Sequence, residues 1–99
     1  MKSFNNVTLI GRAKEQPKMV DGSAYFRVEV ERPPTAKKKA IDTIPVEAHG
    51  KLAEICSEYI SKGALVLVNG IIQNKELSSV GLLTVCAESI NILEYRNGK

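Results

Sequence analysis

Thr43-Ile44-Pro45-Val46-Glu47-Ala48-His49-Gly50-Lys51-Leu52-Ala53-Glu54-Ile55 changes its hydrophobic period halfway along, and the change decides the fold. Up to Ala48, the apolar Ile44, Val46 and Ala48 alternate with Thr43, Pro45 and Glu47, which is the two-residue period of a half-buried strand. Beyond Gly50, the residues Leu52, Ile55, Cys56, Tyr59 and Ile60 fall at helical spacing. Lys62-Gly63 then supplies a cation and a glycine of the kind that ends helices. The spacing predicts one short helix over residues 50–62.

Outward from this junction the chain reads as strands. Val7-Thr8-Leu9-Ile10 forms a first strand, and the Gly11 that follows marks a bulge or a close backbone approach. After the turn signal Asp21-Gly22-Ser23, residues Tyr25 to Arg32 alternate, with Phe26, Val28 and Val30 on one face and Tyr25, Arg27, Glu29 and Glu31 on the other. Pro33-Pro34 opens a loop that runs through Lys37-Lys38-Lys39 to about Ile41, where the third strand begins. Two more strands follow the helix. They run from Ala64 to Leu77, with a bend at Asn69-Gly70, and from Leu82 to Leu93, joined through Ser78-Ser79-Val80-Gly81. Three strands, a helix and two strands make an all-β chain with one helix. That is the element order of a five-stranded Greek-key barrel, the OB-fold, with its helix between strands 3 and 4. In such a barrel the loop before the third strand and the hairpin between the last two flank the face that takes ligands.

Composition bounds the function classes. The 99 residues suit one domain, residues 1–99, whose small core would gain from oligomerisation. Fourteen Lys and Arg against eleven Asp and Glu give a net charge of +3, which permits a nucleic-acid partner without requiring one. Cys56 and Cys86 make no CxxC pair, and the lone His49 does not complete a zinc site with them, so a reduced pair and no metal or other cofactor are expected. No apolar run reaches the roughly 18 residues of a membrane span, and the amino end has no signal-like apolar core, so a cytoplasmic protein is expected. Catalysis is not expected. The nearest approach to an acid–base pair is His49 with Glu47, whose strand positions stand about 7 Å apart.

Asn6-Val7-Thr8-Leu9-Ile10-Gly11-Arg12, Phe26-Arg27-Val28-Glu29-Val30 with Arg32, Ile44 to Glu54, Glu58-Tyr59-Ile60-Ser61-Lys62-Gly63 and Val66-Leu67-Val68-Asn69-Gly70 occur in the order and with the gaps of one family. Across nearly its whole length the chain resembles the bacterial single-stranded DNA-binding proteins and their relatives, the primosomal replication protein N (PriB) group. The resemblance implies single-stranded nucleic acid, DNA or RNA, as partner, without base specificity, in replication or replication restart beside primosome proteins. It also implies a homodimer, with assembly to a tetramer open, paired through first strands around Asn5, Asn6, Val7, Thr8 and Leu9. Relatives of the housekeeping type usually continue into a flexible segment with an acidic tip. This sequence stops at Lys99, which fits the short PriB-like members and equally fits a domain cut from a longer protein.

The departures bear on affinity. Tight single-strand binders stack bases on rings for about 1–3 kcal/mol each, yet this chain has no tryptophan. Three positions that are often aromatic in the family carry Thr43, His49 and Leu77. His49 is either a flat platform for a base or a solvated strand-end residue, and Tyr25 either stacks a base or packs beneath a loop. Phe4, Phe26 and Tyr59 read as core or staple residues. Phosphate contacts are expected from Arg12, Arg27, Arg32, Lys37, Lys38, Lys39, Lys51 and Lys75, with Lys14 and Lys18 able to add to the same groove. Charge runs also serve as solvated loops, and Glu29, Glu31 and Glu47 are expected on the outward strand faces. The competing function is a protein-interaction module of the replication machinery that has given up DNA.

Overall fold

Alternation along the chain becomes a closed barrel in the computed structural model, which describes residues 1–34, 40–75 and 82–96. The elements are β1 (Val7–Ala13), β2 (Lys18–Val20), β3 (Ser23–Glu31), β4 (Ile41–His49), α1 (Gly50–Tyr59), β5 (Leu65–Asn74) and β6 (Leu83–Glu94). The strand order β1-β5-β6-β4-β3-β2 is closed by a further pairing of β1 with β3, at Arg12 with Glu29 and Ala13 with Val28. All pairings are antiparallel except β4 with β6, which run parallel through Val46 with Val85 and Glu47 with Cys86. Five long strands closed in this order, with one helix between β4 and β5, are the expected OB-fold.

The sixth strand is the short β2. Asp21 and Gly22 both have positive φ, 50° and 80°, and form the two-residue turn that pairs Val20 with Ser23. Two positive-φ residues match the right-handed twist of the strands they join, which is why Asp-Gly is favoured there. β3 therefore pairs with β2 at its start and with β1 near its end. Three exposed residues with weak alternation gave β2 no signal of its own.

Inward-facing Ala24, Phe26 and Val28 of β3, Val46 and Ala48 of β4, and Val66 and Val68 of β5 meet Ala53 and Cys56 of α1 and the adjacent Ile60 in one buried core. Burying each large aliphatic side chain contributes about 1.5–3 kcal/mol. The helix stops at Tyr59, three residues short of the expected 62. Ile60 turns extended (φ −92°, ψ 126°), while its N–H still donates to the Cys56 carbonyl and its side chain is wholly buried. Gly63, at φ 91°, makes the subsequent turn and donates its N–H to the Ala13 carbonyl. Phe26 belongs to the core as expected. Phe4 and Tyr59 do not, being 91% and 46% exposed: Phe4 lies ahead of β1, and the helix that carries Tyr59 meets the barrel through its smaller residues.

Two glycines mark where backbones come closest. A Cβ on Gly11 would stand 2.3 Å from the Glu29 carbonyl oxygen, at the β1–β3 closure. One on Gly70 would stand 2.1 Å from the Cys86 carbonyl oxygen, beside a register shift between Asn69 and Gly70. Gly11 is thus a close approach inside a strand that continues to Ala13, and the expected bend at Asn69-Gly70 is a bulge. Gly11→Ala and Gly70→Ala should each lose about 1–3 kcal/mol of stability. Urea unfolding followed by circular dichroism measures this, and unchanged midpoints would show that the barrel seam can relax.

Candidate nucleic-acid groove

On the outer face of β3 and β4 the odd-numbered residues stand in register, with Tyr25 opposite Glu47 and Arg27 opposite Pro45. β2 contributes Lys18 beside Tyr25. The base of the β5–β6 hairpin, closed by the Lys75 N–H to the Leu82 carbonyl at 2.9 Å, brings Lys75, Leu82 and Leu83 to the opposite wall. The result is an open groove of about 510 Å³ with Glu15 at one side and Thr84 on its floor. Its walls are mostly apolar, and Leu82 and Leu83 are exposed, so sugars and base faces can lie against them while the rim cations meet phosphates.

Of the expected site residues, the groove gathers Tyr25, Arg27 and Lys75. His49 stands two residues beyond Glu47 on the same strand and is tied to it. Arg32 lies near the far end of β3 and forms a two-pronged ion pair with Asp42, both contacts at 2.9 Å. Arg12 faces away, bonded to Glu94 and to the Gly63 carbonyl. Lys51 is exposed in the first turn of α1. Lys37, Lys38, Lys39 and Leu77 lie outside the described residues.

Two of the groove cations, Arg27 and Lys75, are each held by an acid. Arg27 grips Glu15 through its guanidinium at 2.7 Å and its backbone N–H at 2.7 Å. The Arg27 hydrogen bonds hold the Glu15 carboxyl below its ordinary range against a smaller opposing effect of burial. Lys75 Nζ lies 3.0 Å from Glu47 Oε1 and 4.5 Å from the centre of the Tyr25 ring, so one ammonium bridges a carboxylate and an aromatic face. Tyr25 is therefore half-buried beneath a cation, and a base stacking on that face has to displace or share the lysine.

Glu47 corrects the sequence expectation twice. It is not an open outward residue but only 8% exposed. It is also not separated from His49, because its side chain spans the strand rise and Oε2 meets His49 Nε2 at 2.9 Å. Ser23 Oγ lies 2.7 Å from His49 Nδ1. With an ionised Glu47 accepting from Nε2–H, the serine hydroxyl donates to Nδ1, so His49 has partners at both nitrogens. Burial pushes the Glu47 carboxyl up, but the hydrogen bonds and charges of Lys75 and His49 outweigh it, and the net direction is down.

Cys86 is the functional candidate that local sequence could not place. The parallel β4–β6 register sets it opposite Glu47. One ligating atom each of Glu47, His49 and Cys86 lie within 4.8 Å of one another. Burial, then the charges of Glu47 and Glu88, push its thiol up. Glu15, Thr84 and Leu82-Leu83 were likewise missed as groove residues. Only the apolar pair next to the hairpin carried a signal.

Comparison with known proteins points to one family. A model of the single-strand binding protein family matches residues 4–92. A single-stranded DNA-binding protein of Caldanaerobacter subterraneus subsp. tengcongensis is 32% identical over 107 residues, covering 96% of this chain and 71% of the relative. One of Fusobacterium nucleatum subsp. nucleatum is 35% identical over 106 residues, covering 94% and 69%. The single-stranded DNA-binding protein 3 of Clostridium acetobutylicum is 33% identical over 106 residues, covering 93% and 72%.

Glu15, Asp42, Glu47 and Glu94 all have carboxyls held below their ordinary values. A lowered folded-state pKa gives stability that is complete above the unfolded-state value and is lost as pH falls through the folded one. Stability should therefore hold from neutral pH down to the ordinary carboxylate range near 4.5 and decline below it. Glu47→Gln should flatten part of that decline. Urea midpoints across a pH series test this, and an acid limb identical in the variant would remove Glu47 from the account.

Proposed function

Because the chain belongs to the single-strand binding protein family, we propose that it binds single-stranded DNA in the groove between β3–β4 and the β5–β6 hairpin, without base specificity. The supporting observation is the convergence of Lys18, Arg27, Lys75 and the Tyr25 ring on one apolar-walled channel. Phosphates meet the cations and sequence-independent base faces meet Tyr25 and the leucine wall. Lys37, Lys38 and Lys39 are further phosphate contacts in this reading, and Arg12, Arg32 and Lys51 add charge outside the groove for a longer strand. His49 contributes the flat face of its exposed ring to a base.

Few rings and acid-paired cations make this a weaker, strongly electrostatic binder. A phosphate replaces the Glu15 carboxylate on Arg27 at little cost, since pairs open to solvent contribute little in water, whereas Lys75 stays tied to the largely buried Glu47. The role proposed is in replication or replication restart, in the cytoplasm, alongside primosome proteins and without catalysis. The chain acts as a homodimer. Among the described residues, Val7 to Gly11 pair on one side only, with β5, and Ile10 is 51% exposed beside them. An open strand edge of this kind is a ready site for two-fold pairing.

Fluorescence anisotropy with labelled oligo-dT across a salt series tests the binding. Micromolar or tighter affinity that falls steeply with salt is expected. Replacing Lys37, Lys38 and Lys39 by alanine should weaken binding and reduce the salt slope. Glu15→Gln should tighten binding, by up to roughly fivefold, by releasing Arg27. No binding at low salt would overturn the proposal and leave protein docking as the function of this face. Sedimentation velocity of the free protein should show a dimer at micromolar concentration, and a monomer would overturn the paired β1 edge.

A further inference from the structure

We propose that Glu47, His49 and Cys86 form a zinc site on the β4–β6 seam, with a carboxylate oxygen, an imidazole nitrogen and a thiolate as three protein ligands and water as the fourth. The donors come from facing positions of two paired central strands, Glu47 opposite Cys86, with His49 two residues along on the same face. All three ligating atoms already lie within 4.8 Å of one another. Tetrahedral zinc with bonds of about 2.0–2.3 Å needs such atoms roughly 3.3–3.6 Å apart, so rotamer adjustments of about an ångström close the set. The strands need not move.

The mixture of one sulfur, one nitrogen and one oxygen favours zinc over magnesium or calcium, which take oxygen alone. A supporting residue is in place. Ser23 Oγ lies 2.7 Å from His49 Nδ1, and a hydroxyl accepts as readily as it donates. When zinc takes Nε2, the imidazole proton moves to Nδ1 and is donated to Ser23, the arrangement that orients metal-bound histidines. The Cys86 thiol loses its proton to solvent on binding. Glu47 offers Oε2, the oxygen now facing His49, while Lys75 stays on Oε1. The nearby ammonium opposes the metal charge and keeps the affinity moderate.

Cobalt(II) titration of the reduced 99-residue chain is the first test. One equivalent should produce the thiolate charge-transfer absorption and intense visible bands of a tetrahedral site, and zinc should abolish both. Zinc alone should raise the melting temperature. Cys86→Ser should remove the charge-transfer absorption, and His49→Ala should weaken binding by roughly tenfold or more, as should Ser23→Ala. Melting of each metal-free variant shows that it folds. A pale octahedral cobalt spectrum with no thiolate absorption would overturn the proposal, as would an unchanged absorption in Cys86→Ser. The cobalt spectrum needs no DNA, so its failure is distinguishable from failure of the binding proposal.

Discussion

The parallel pairing of β4 with β6, through Val46 with Val85 and Glu47 with Cys86, is the contact on which the rest depends. The chain enters it as two antiparallel systems, β1 to β4 and β5 to β6, with α1 between them. Sequential antiparallel strands can meet through short turns, whereas a parallel pair needs a crossover, and α1 is part of that crossover. Once the seam forms, β1 is held between β5 and β3, and the barrel closes over Val28, Val46, Val66 and Val68. Apolar burial drives this closure. The ion pairs on the surface are too well hydrated to do so.

The seam also organises the outer surface. It carries the β5–β6 hairpin base over the face of β3 and β4, so that Lys75 reaches both Tyr25 and Glu47. A single buried carboxylate thus links a lysine, a histidine and, across the strands, a cysteine. An ionised group this deeply covered needs such partners. Its surroundings consequently join the groove to a compact set of metal-ligating side chains. Arg27 and Lys75 are each committed to an acid, so the field of this face is smaller than its cations alone would give.

The five long strands, the helix and the barrel class were legible because each rests on local periodicity, whereas the short β2 was not. Tyr25 to Arg32 alternates within one strand, and the change of period at His49-Gly50 needs no distant partner to be seen. The Asp21-Gly22 turn and the Gly11 and Asn69-Gly70 irregularities were visible because glycine reports on backbone geometry. The helix end was less legible. Lys62-Gly63 looks like a stop, yet burial of Ile60 ended the helix earlier. Phe4 and Tyr59 have core-like side chains but lie on surfaces that the barrel left uncovered.

Local pattern thus carried the element order, the direction in which most strand residues face, and Tyr25, Arg27 and Lys75 as groove residues. Charge partners were not in that pattern. Arg27 with Glu15, Arg32 with Asp42 and Arg12 with Glu94 are set by turns and by strand register, and each changes what its cation can do. The meeting of Cys86 with Glu47 and His49 is the clearest case. Nearly forty residues separate Cys86 from His49 along the chain, and only a parallel register between strands on either side of a helix brings them together. Periodicity records which side of a strand a residue faces. Partners across the sheet depend on how strands pair, and that pairing is chosen by closure of the whole barrel.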